Sequence, residues 1–323
     1  MSSVLNPQYL PTAVPPPSGE ALAFHRALPG YVPTPVRDLG GGVWLKDESD
    51  RFGLPAFKVL GVSWAVERAL REDPGVQTLV AASAGNHGRA VAHVAARRGL
   101  RARVFLPARS VAARREAIAA EGADVVVVDG TYEDAVRLAA EEGAQPGFVE
   151  LADVGSSGPA HWVIDGYATL FAELDQAFDT IFVPVGVGSL GAAAARYGAA
   201  TGTTVIAVEP DVAACLTASL LAGEPTVVDT PGTAMAGLDC AEVSEAAWPT
   251  LKHGITGTVT VSEEQTAAAM RELAALGLAI GHSGAATLAG LHAATELPIK
   301  RERVLLIATE GPTDPEGYRA VVG

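Results

Sequence analysis

Short apolar runs alternate with longer amphipathic or alanine-rich segments along most of the chain. Short runs of β-branched and aliphatic residues are typical of buried strands, whereas apolar residues at helical spacing predict helices packed on them. The predicted strands cover residues 43–46, 77–81, 102–106, 124–128, 180–185, 204–208, 258–261 and 303–308. The predicted helices cover residues 59–70, 86–97, 111–121, 132–142, 189–197, 263–275 and 284–294. This alternation predicts an α/β fold with mostly parallel strands.

The junction after the predicted strand 180–185 has the spacing G-x-G-x-x-G. It consists of Gly186, Val187, Gly188, Ser189, Leu190 and Gly191. Glycines let a backbone approach a phosphate closely, and the helix that follows presents its N-terminus to the anion. Glu209 ends the next predicted strand about 20 residues on, where dinucleotide-binding folds place a carboxylate for a ribose hydroxyl. The motif predicts a phosphate site, and an NAD-dependent oxidoreductase is one hypothesis that it raises.

Two other segments combine reactive side chains with glycine turns. Lys58 lies among apolar neighbours in GLPAFKVLG, residues 53–61, where burial would favour the free amine that Schiff-base chemistry needs. Residues 83–88, SAGNHG, would present backbone N–H groups at a helix N-terminus to an anion such as a carboxylate. The structural alternatives are an exposed lysine at a helix start and a glycine turn capped by Asn86.

Two carboxylates follow apolar runs, where packing does not explain them. Asp153 comes after Phe148 and Val149 and is a candidate for acid/base chemistry, with a turn residue as the alternative. Glu310 comes two residues after the end of the predicted strand 303–308 and is followed by a glycine. Glu310 therefore lies at the end of a predicted strand, where ligands of parallel sheets are bound.

Composition and charge exclude several other classes of protein. Of the 323 residues, 49% are hydrophobic and 19% charged, and the net charge of -14 leaves no basic stripe for nucleic acid. No window is apolar enough to span a bilayer and the N-terminal residues do not resemble a secretory signal, so we expect a cytoplasmic protein. Cys215 and Cys240 lack metal-site or C-x-x-C spacing and suit packed positions, although a disulfide between them stays open.

Six segments carry a family resemblance when they are taken in order. They are KDESDRFGLPAFKVLG (46–61), GNHGRAVAHVA (85–95), DGYATLFAEL (165–174), TAMAGLDC (233–240), HSGAATLAGL (282–291) and TEGPTDPEGY (309–318). Together they resemble the pyridoxal-phosphate enzymes of the tryptophan-synthase-β type, or fold type II, and within these the diaminopropionate ammonia-lyase family. The resemblance covers the chain from about residue 20 to its end. Six motifs in order are far more specific than one glycine pattern.

The resemblance implies a role for each motif. Lys58 matches the Schiff-base lysine, the loop 186–191 would bind the single phosphate of pyridoxal phosphate, and Glu209 would then have no ribose to bind. Asn86 would bond the ring hydroxyl oxygen, and Ser83, Ala84, Gly85 and His87 would surround the substrate carboxylate. Glu310, or Thr309, would face the ring nitrogen. Lys58 or Asp153 would remove the α-proton, and no metal ion is expected.

The resemblance also implies an architecture of two lobes, each an open, mostly parallel sheet flanked by helices. We expect a large cofactor-binding lobe, residues 1–77 and 165–323, and a small mobile lobe, residues 78–164, that closes over the substrate. Enzymes of this type are commonly homodimers. We therefore expect a homodimer whose ligands are the cofactor and a small amino acid.

The implied reaction is α,β-elimination, with 2,3-diaminopropionate converted to pyruvate and ammonia. Ala84 is a departure, because the family carries an aspartate at this position, and SAGNHG is also typical of serine and threonine dehydratases. The departure predicts a preference for the L-isomer. The alternatives are a serine or threonine dehydratase, a β-replacement synthase, a non-catalytic amino-acid sensor and, from the glycine motif alone, the NAD-dependent oxidoreductase.

Overall fold

The computed structural model describes residues 3–152, 155–156 and 158–323. The chain divides into two compact units. The first unit comprises the chain up to Phe57 together with Tyr167–Gly323, and the second unit comprises Lys58–Gly166. The predicted small lobe, residues 78–164, falls within the second unit, which also contains the predicted helix 59–70. The closing motion of that lobe stays a prediction.

Strands and helices alternate as the sequence predicts. The strands are β1 (Ser3–Leu5), β2 (Val36–Gly40), β3 (Val43–Asp47), β4 (Thr78–Ala82), β5 (Arg101–Pro107), β6 (Asp124–Val128), β7 (Phe148–Glu150), β8 (Thr180–Pro184), β9 (Thr204–Pro210), β10 (Gly257–Val261) and β11 (Val304–Ala308). The helices are α1 (Glu20–Ala27), α2 (Val59–Glu72), α3 (Asn86–Arg98), α4 (Ala112–Ala120), α5 (Tyr132–Gly143), α6 (Gly158–Ala172), α7 (Ser189–Thr201), α8 (Cys215–Ala222), α9 (Trp248–Gly254), α10 (Glu263–Ala275), α11 (His282–Ala293) and α12 (Pro315–Val322).

The first unit is built on one large sheet. Its described strands follow the order β1-β10-β9-β8-β11-β3-β2, parallel from β10 to β3 and antiparallel at both edges. Every residue of β8 and of β11 is buried, as expected for central parallel strands that helices cover on both faces. The core between the sheet and α10 and α11 includes Phe182, Ile206, Met270, Leu273 and Leu306.

The second unit has its own smaller sheet. Its described strands follow the order β6-β5-β4-β7, and all the pairs are parallel. Val80, Phe105 and Val128 of the sheet pack against Ala135 and Ala139 of α5 in a separate apolar cluster. The predicted α/β fold with two mostly parallel sheets is therefore confirmed.

In the part of the chain that the structure describes, no helix has both the length and the apolar character needed to cross a membrane.

Candidate active site

The glycine loop connects β8 to α7 in the first unit. Gly188 is the residue before α7 and has φ 100°, a left-handed conformation that favours glycine. A Cβ atom on Gly186 would lie 2.6 Å from the carbonyl oxygen of Gly237, so this position also requires glycine. The first N–H groups of an α-helix are not used by the helix itself, so the start of α7 can donate to an anion at the loop. The loop therefore has the backbone of an anion site, as the spacing predicts.

A second segment, residues 233–240, packs on this loop. The N–H of Gly237 donates to Ser283 Oγ at 3.1 Å, and the N–H of Ser244 donates to the carbonyl oxygen of Val187 at 2.8 Å. The bond from Ser244 holds the loop directly, whereas the bond to Ser283 ties Gly237, which packs against Gly186, to α11. Motif spacing did not single out Ser283. Its only signal in the sequence was its position in HSGAATLAGL.

The turn after β11 lies beside the glycine loop, because β11 and β8 are parallel neighbours whose carboxyl ends share one edge of the sheet. Thr309 and Glu310 are both buried. Glu310 Oε1 accepts from the N–H of Ser283 in the first turn of α11 at 3.2 Å, and the N–H of Gly281 donates to the Glu310 carbonyl oxygen. A helix N-terminus stabilises a carboxylate, so Glu310 is held as an acceptor at the edge of the sheet that carries the glycine loop.

Lys58 follows a strand-like segment that is bonded to the same turn. The N–H of Phe57 donates to the carbonyl oxygen of Thr309 at 3.2 Å. The N–H of Gly311 donates to the carbonyl oxygen of Pro55 at 3.0 Å. Lys58 is then the residue before α2 and the first of the second unit, and its side chain is half-buried. The hydrogen bonds therefore fix the main chain up to the residue that precedes the lysine.

The SAGNHG turn joins β4 to α3 in the second unit. Gly85 is the residue before α3, and its N–H donates to Ser83 Oγ at 3.2 Å, so the turn is a tight one at a helix N-terminus. His87 is buried, and its ring Nε2 lies 2.6 Å from the Leu151 carbonyl oxygen. Its imidazole thus connects α3 to the segment after β7. Ala84 and Asn86 are half-buried in the same turn.

The predicted roles of these residues stay predictions, and the predicted acid or base Asp153 lies outside the described residues. The described part of Lys58–Gly166 brings Ser83, Gly85, Asn86 and His87 to one turn. The first unit brings residues 186–191 together with Thr309 and Glu310. Within the described residues, no group of three His, Cys, Asp or Glu side chains forms a metal site.

Glu209 has a different role from the one that a dinucleotide fold would give it. Its carboxylate is fully buried and accepts from the N–H groups of Leu216 and Thr217, at 2.7 and 2.9 Å, and from Thr217 Oγ at 2.6 Å. It therefore binds the N-terminus of α8, as a capping acceptor does. Burial raises the pKa of Glu209 to about 7, although the bonds from Thr217 and Leu216 act to lower it.

Comparison with known proteins agrees with this geometry. A family model described as pyridoxal-phosphate dependent enzyme matches residues 27–310. The chain therefore belongs to the pyridoxal-phosphate-dependent enzymes. Its similarity to curated relatives places it, within them, in the diaminopropionate ammonia-lyase family.

Two ammonia-lyases and one threonine dehydratase show the extent of the similarity. The chain is 33% identical to a diaminopropionate ammonia-lyase of Salmonella typhimurium, over 94% of this chain and 91% of the relative. A crystal structure of diaminopropionate ammonia lyase from Escherichia coli, in complex with an aminoacrylate-PLP azomethine reaction intermediate, superposes with a TM-score of 0.90 at 30% identity, covering 99% and 96% of the two chains. A biosynthetic L-threonine dehydratase of Escherichia coli is 30% identical over 86% of this chain and 55% of its own length.

The residues present fit pyridoxal phosphate. A glycine cradle at the N-terminus of α7 suits one phosphate, and Lys58 supplies a primary amine. Glu310 supplies a buried carboxylate that suits a protonated ring nitrogen. Since Glu209 caps α8, the glycine motif has no carboxylate for a ribose, and the oxidoreductase hypothesis is set aside.

Proposed function

We propose that this enzyme catalyses α,β-elimination of 2,3-diaminopropionate, which with one water gives pyruvate and two molecules of ammonia. The observation that carries the proposal is the buried Glu310 at the end of β11, beside the glycine loop. A carboxylate there keeps a pyridine nitrogen protonated, and the bound cofactor then withdraws the electrons released at Cα most strongly. The chain covers 91% of the length of the related ammonia-lyase but only 55% of that of the related threonine dehydratase, which favours the lyase.

We assign the roles of the other residues as follows. Lys58 holds the cofactor, and its released amine, or the carboxylate of Asp153, takes the α-proton. The backbone N–H groups of the loop 186–191 bind the phosphate, and Asn86 bonds the ring hydroxyl oxygen. Ser83, Gly85 and His87 belong to the turn that we assign to the substrate carboxylate, which the N-terminus of α3 attracts.

Ala84 supports a preference for the L-isomer. An enzyme with an acid or base on both faces of the substrate can remove the α-proton from either enantiomer, and Ala84 cannot serve as such a group. We expect L-2,3-diaminopropionate to release two ammonia molecules per pyruvate and the D-isomer to react at least about 100-fold more slowly. Coupled assays of pyruvate and ammonia on each isomer measure this, and equal rates would refute the stereochemical part.

The same assay separates the competing functions. One ammonia per pyruvate from serine, with diaminopropionate inert, would identify a dehydratase. Consumption of diaminopropionate without pyruvate until a nucleophile is added would identify a β-replacement synthase. Binding of an amino acid without any product would identify a sensor. Lys58→Ala should lose the visible absorption of the bound cofactor and all activity, whereas Lys300→Ala, at an exposed lysine, should keep both.

We further propose that the enzyme is a cytoplasmic homodimer. Leu5, Tyr9 and Leu10 are large apolar side chains that are 41–51% exposed near the N-terminus, and exposed apolar groups close together favour association of subunits. Cys215 and Cys240 are not joined by a disulfide, which suits a reducing compartment. Sedimentation equilibrium of the cofactor-bound enzyme and fractionation of its native cells test the two parts.

A further inference from the structure

A group of four buried charged side chains lies in the first unit, and none of them has been assigned to the candidate active site. It consists of Lys46, Glu48, Arg51 and Glu173, and we call it the buried charge cluster. The four side chains are almost completely buried, with exposures of 0–1%. Two cations face two anions, so the cluster is neutral. Buried charges are expensive unless fully paired, so a cluster of this kind needs a reason for its position.

The bonds in the cluster converge on Arg51. Its guanidinium donates to both oxygens of Glu48, at 2.7 and 2.9 Å, and to both oxygens of Glu173, at 2.7 and 2.8 Å. Its Nη2 also donates to Thr34 Oγ at 2.9 Å. Lys46 Nζ donates to Glu173 at 2.6 Å and to the carbonyl oxygen of Thr34 at 2.8 Å. A planar guanidinium with these partners has one orientation available.

The electrostatics agree with this geometry. Burial acts to raise the pKa of Glu173, but the charges and hydrogen bonds of Arg51 and Lys46 outweigh it and leave the pKa lowered. Glu173 thus stays ionised, and it comes directly after α6. The cluster joins the end of that helix to the segment around Arg51.

Arg51 begins the tight loop that leads to Lys58. The N–H of Leu54 donates to the carbonyl oxygen of Arg51, and that of Arg51 donates to the carbonyl oxygen of Leu54. Between them Phe52 has φ 57°, and among the residues that the structure describes it is the only one other than glycine with a positive φ. Such a conformation is strained and persists only where its surroundings determine it. The loop then pairs with the Thr309–Gly311 turn and ends at Phe57.

We propose that the buried charge cluster, through Arg51, is a positioning device that fixes the strained loop 51–57 and so holds the main chain that leads into Lys58. This rests on the proposed role of Lys58 as the lysine that holds the cofactor. The cluster itself touches neither cofactor nor substrate; it acts through the main chain of the loop.

Arg51→Met tests the proposal. In the cofactor-free protein, hydrogen exchange at the amides of Leu54 and Phe57 should accelerate by about tenfold or more, because their bonds open more often. In the loaded enzyme kcat should fall by at least about tenfold while KM changes little, because a misplaced lysine affects the reaction more than binding. Thr34→Val removes one partner of Arg51 without removing a charge and should produce a smaller change of the same kind. It provides the test if Arg51→Met does not fold.

Arg303→Met is the matched control, since Arg303 lies in the same unit and bonds residues 176 and 177 instead. It should leave both exchange rates and kcat as in the wild type. Unchanged exchange at Leu54 and Phe57, or an unchanged kcat, in both test variants would overturn the proposal. Lys58→Ala distinguishes failure of the proposed function from failure of the positioning role. If Lys58→Ala keeps the visible absorption of the bound cofactor, the proposed function is wrong. If Lys58→Ala loses that absorption but Arg51→Met has normal kinetics, only the positioning role is wrong.

Discussion

The hydrogen-bond partners of Glu209 are determined by the fold and not by the sequence motif around it. Glu209 has the spacing of a ribose-binding carboxylate, yet it is buried under α8 and accepts three hydrogen bonds there. The three donors all belong to Leu216 and Thr217, which no local pattern connects to Glu209. Only the fold brings them together, which is why the sequence predicted the carboxylate's place at the end of a strand but not its hydrogen-bond partners.

The raised pKa of Glu209 makes stability depend on pH in a definite direction. The carboxyl binds a proton more tightly in the folded protein, where its pKa is about 7, than in the unfolded chain, where it is about 4.5. Its contribution is therefore complete below pH 4.5 and is lost as the pH rises through 7, by about 3 kcal/mol in all. The free energy of unfolding of wild type relative to Glu209→Gln should fall by about 2.5 kcal/mol between pH 5 and pH 8, as measured by chemical denaturation of both proteins.

The comparison needs a control for the many other titrating groups. Glu264→Gln changes an exposed glutamate in the first turn of α10 and should give a curve parallel to that of the wild type. If the Glu209→Gln curve is parallel as well, the carboxyl does not titrate between those pH values and the inferred burial effect is wrong.

At the scale of elements, the strands that are continuous apolar runs were predictable, whereas three of the four described edge strands were not. All eight predicted strands are present, because buried parallel strands are continuous apolar runs. β1, β2 and β7 were missed, since short edge strands carry polar residues and no long apolar run. α6 was missed for the opposite reason. Its inner residues, such as Val163, Tyr167 and Leu170, leave little polar face, so the helical period is weak.

The glycine loop allows a prediction at the same scale. Gly188→Ala places a Cβ at φ 100° and against Leu251, which should destabilise the protein by about 2–4 kcal/mol from strain and overpacking together. The displaced loop should also lose the visible absorption of the bound cofactor. Thermal unfolding and an absorption spectrum measure the two effects.

Gly202→Ala is the matched control, because Gly202 ends the same helix with φ 77° but has no atom near its would-be Cβ. It should cost only the backbone strain, about 1–2 kcal/mol, and keep the cofactor. If both variants retain the cofactor equally, the loop does not bind its phosphate.

For the whole molecule, the fold class and the family followed from motifs spread over the chain, because strand-end loops carry the chemistry of a parallel sheet. Contacts between distant segments could not be predicted from these motifs. Ser283 beside Glu310, and Glu173 beside Arg51, pair residues more than 25 positions apart in the chain, and no periodicity relates them. The boundary of the second unit was equally hidden, since α2 has the same amphipathic pattern whichever unit it joins.

The strand order of the first unit also determines when it can be completed during synthesis. β11 lies between β8 and β3 in the sheet, yet it is the last strand to be made. The second unit is one uninterrupted segment, so all of its strands have left the ribosome long before β11 exists. Until Val304–Ala308 emerges, β3 and β8 each lack their common neighbour, and these open edges are where nascent chains would be most prone to aggregate and most in need of a chaperone.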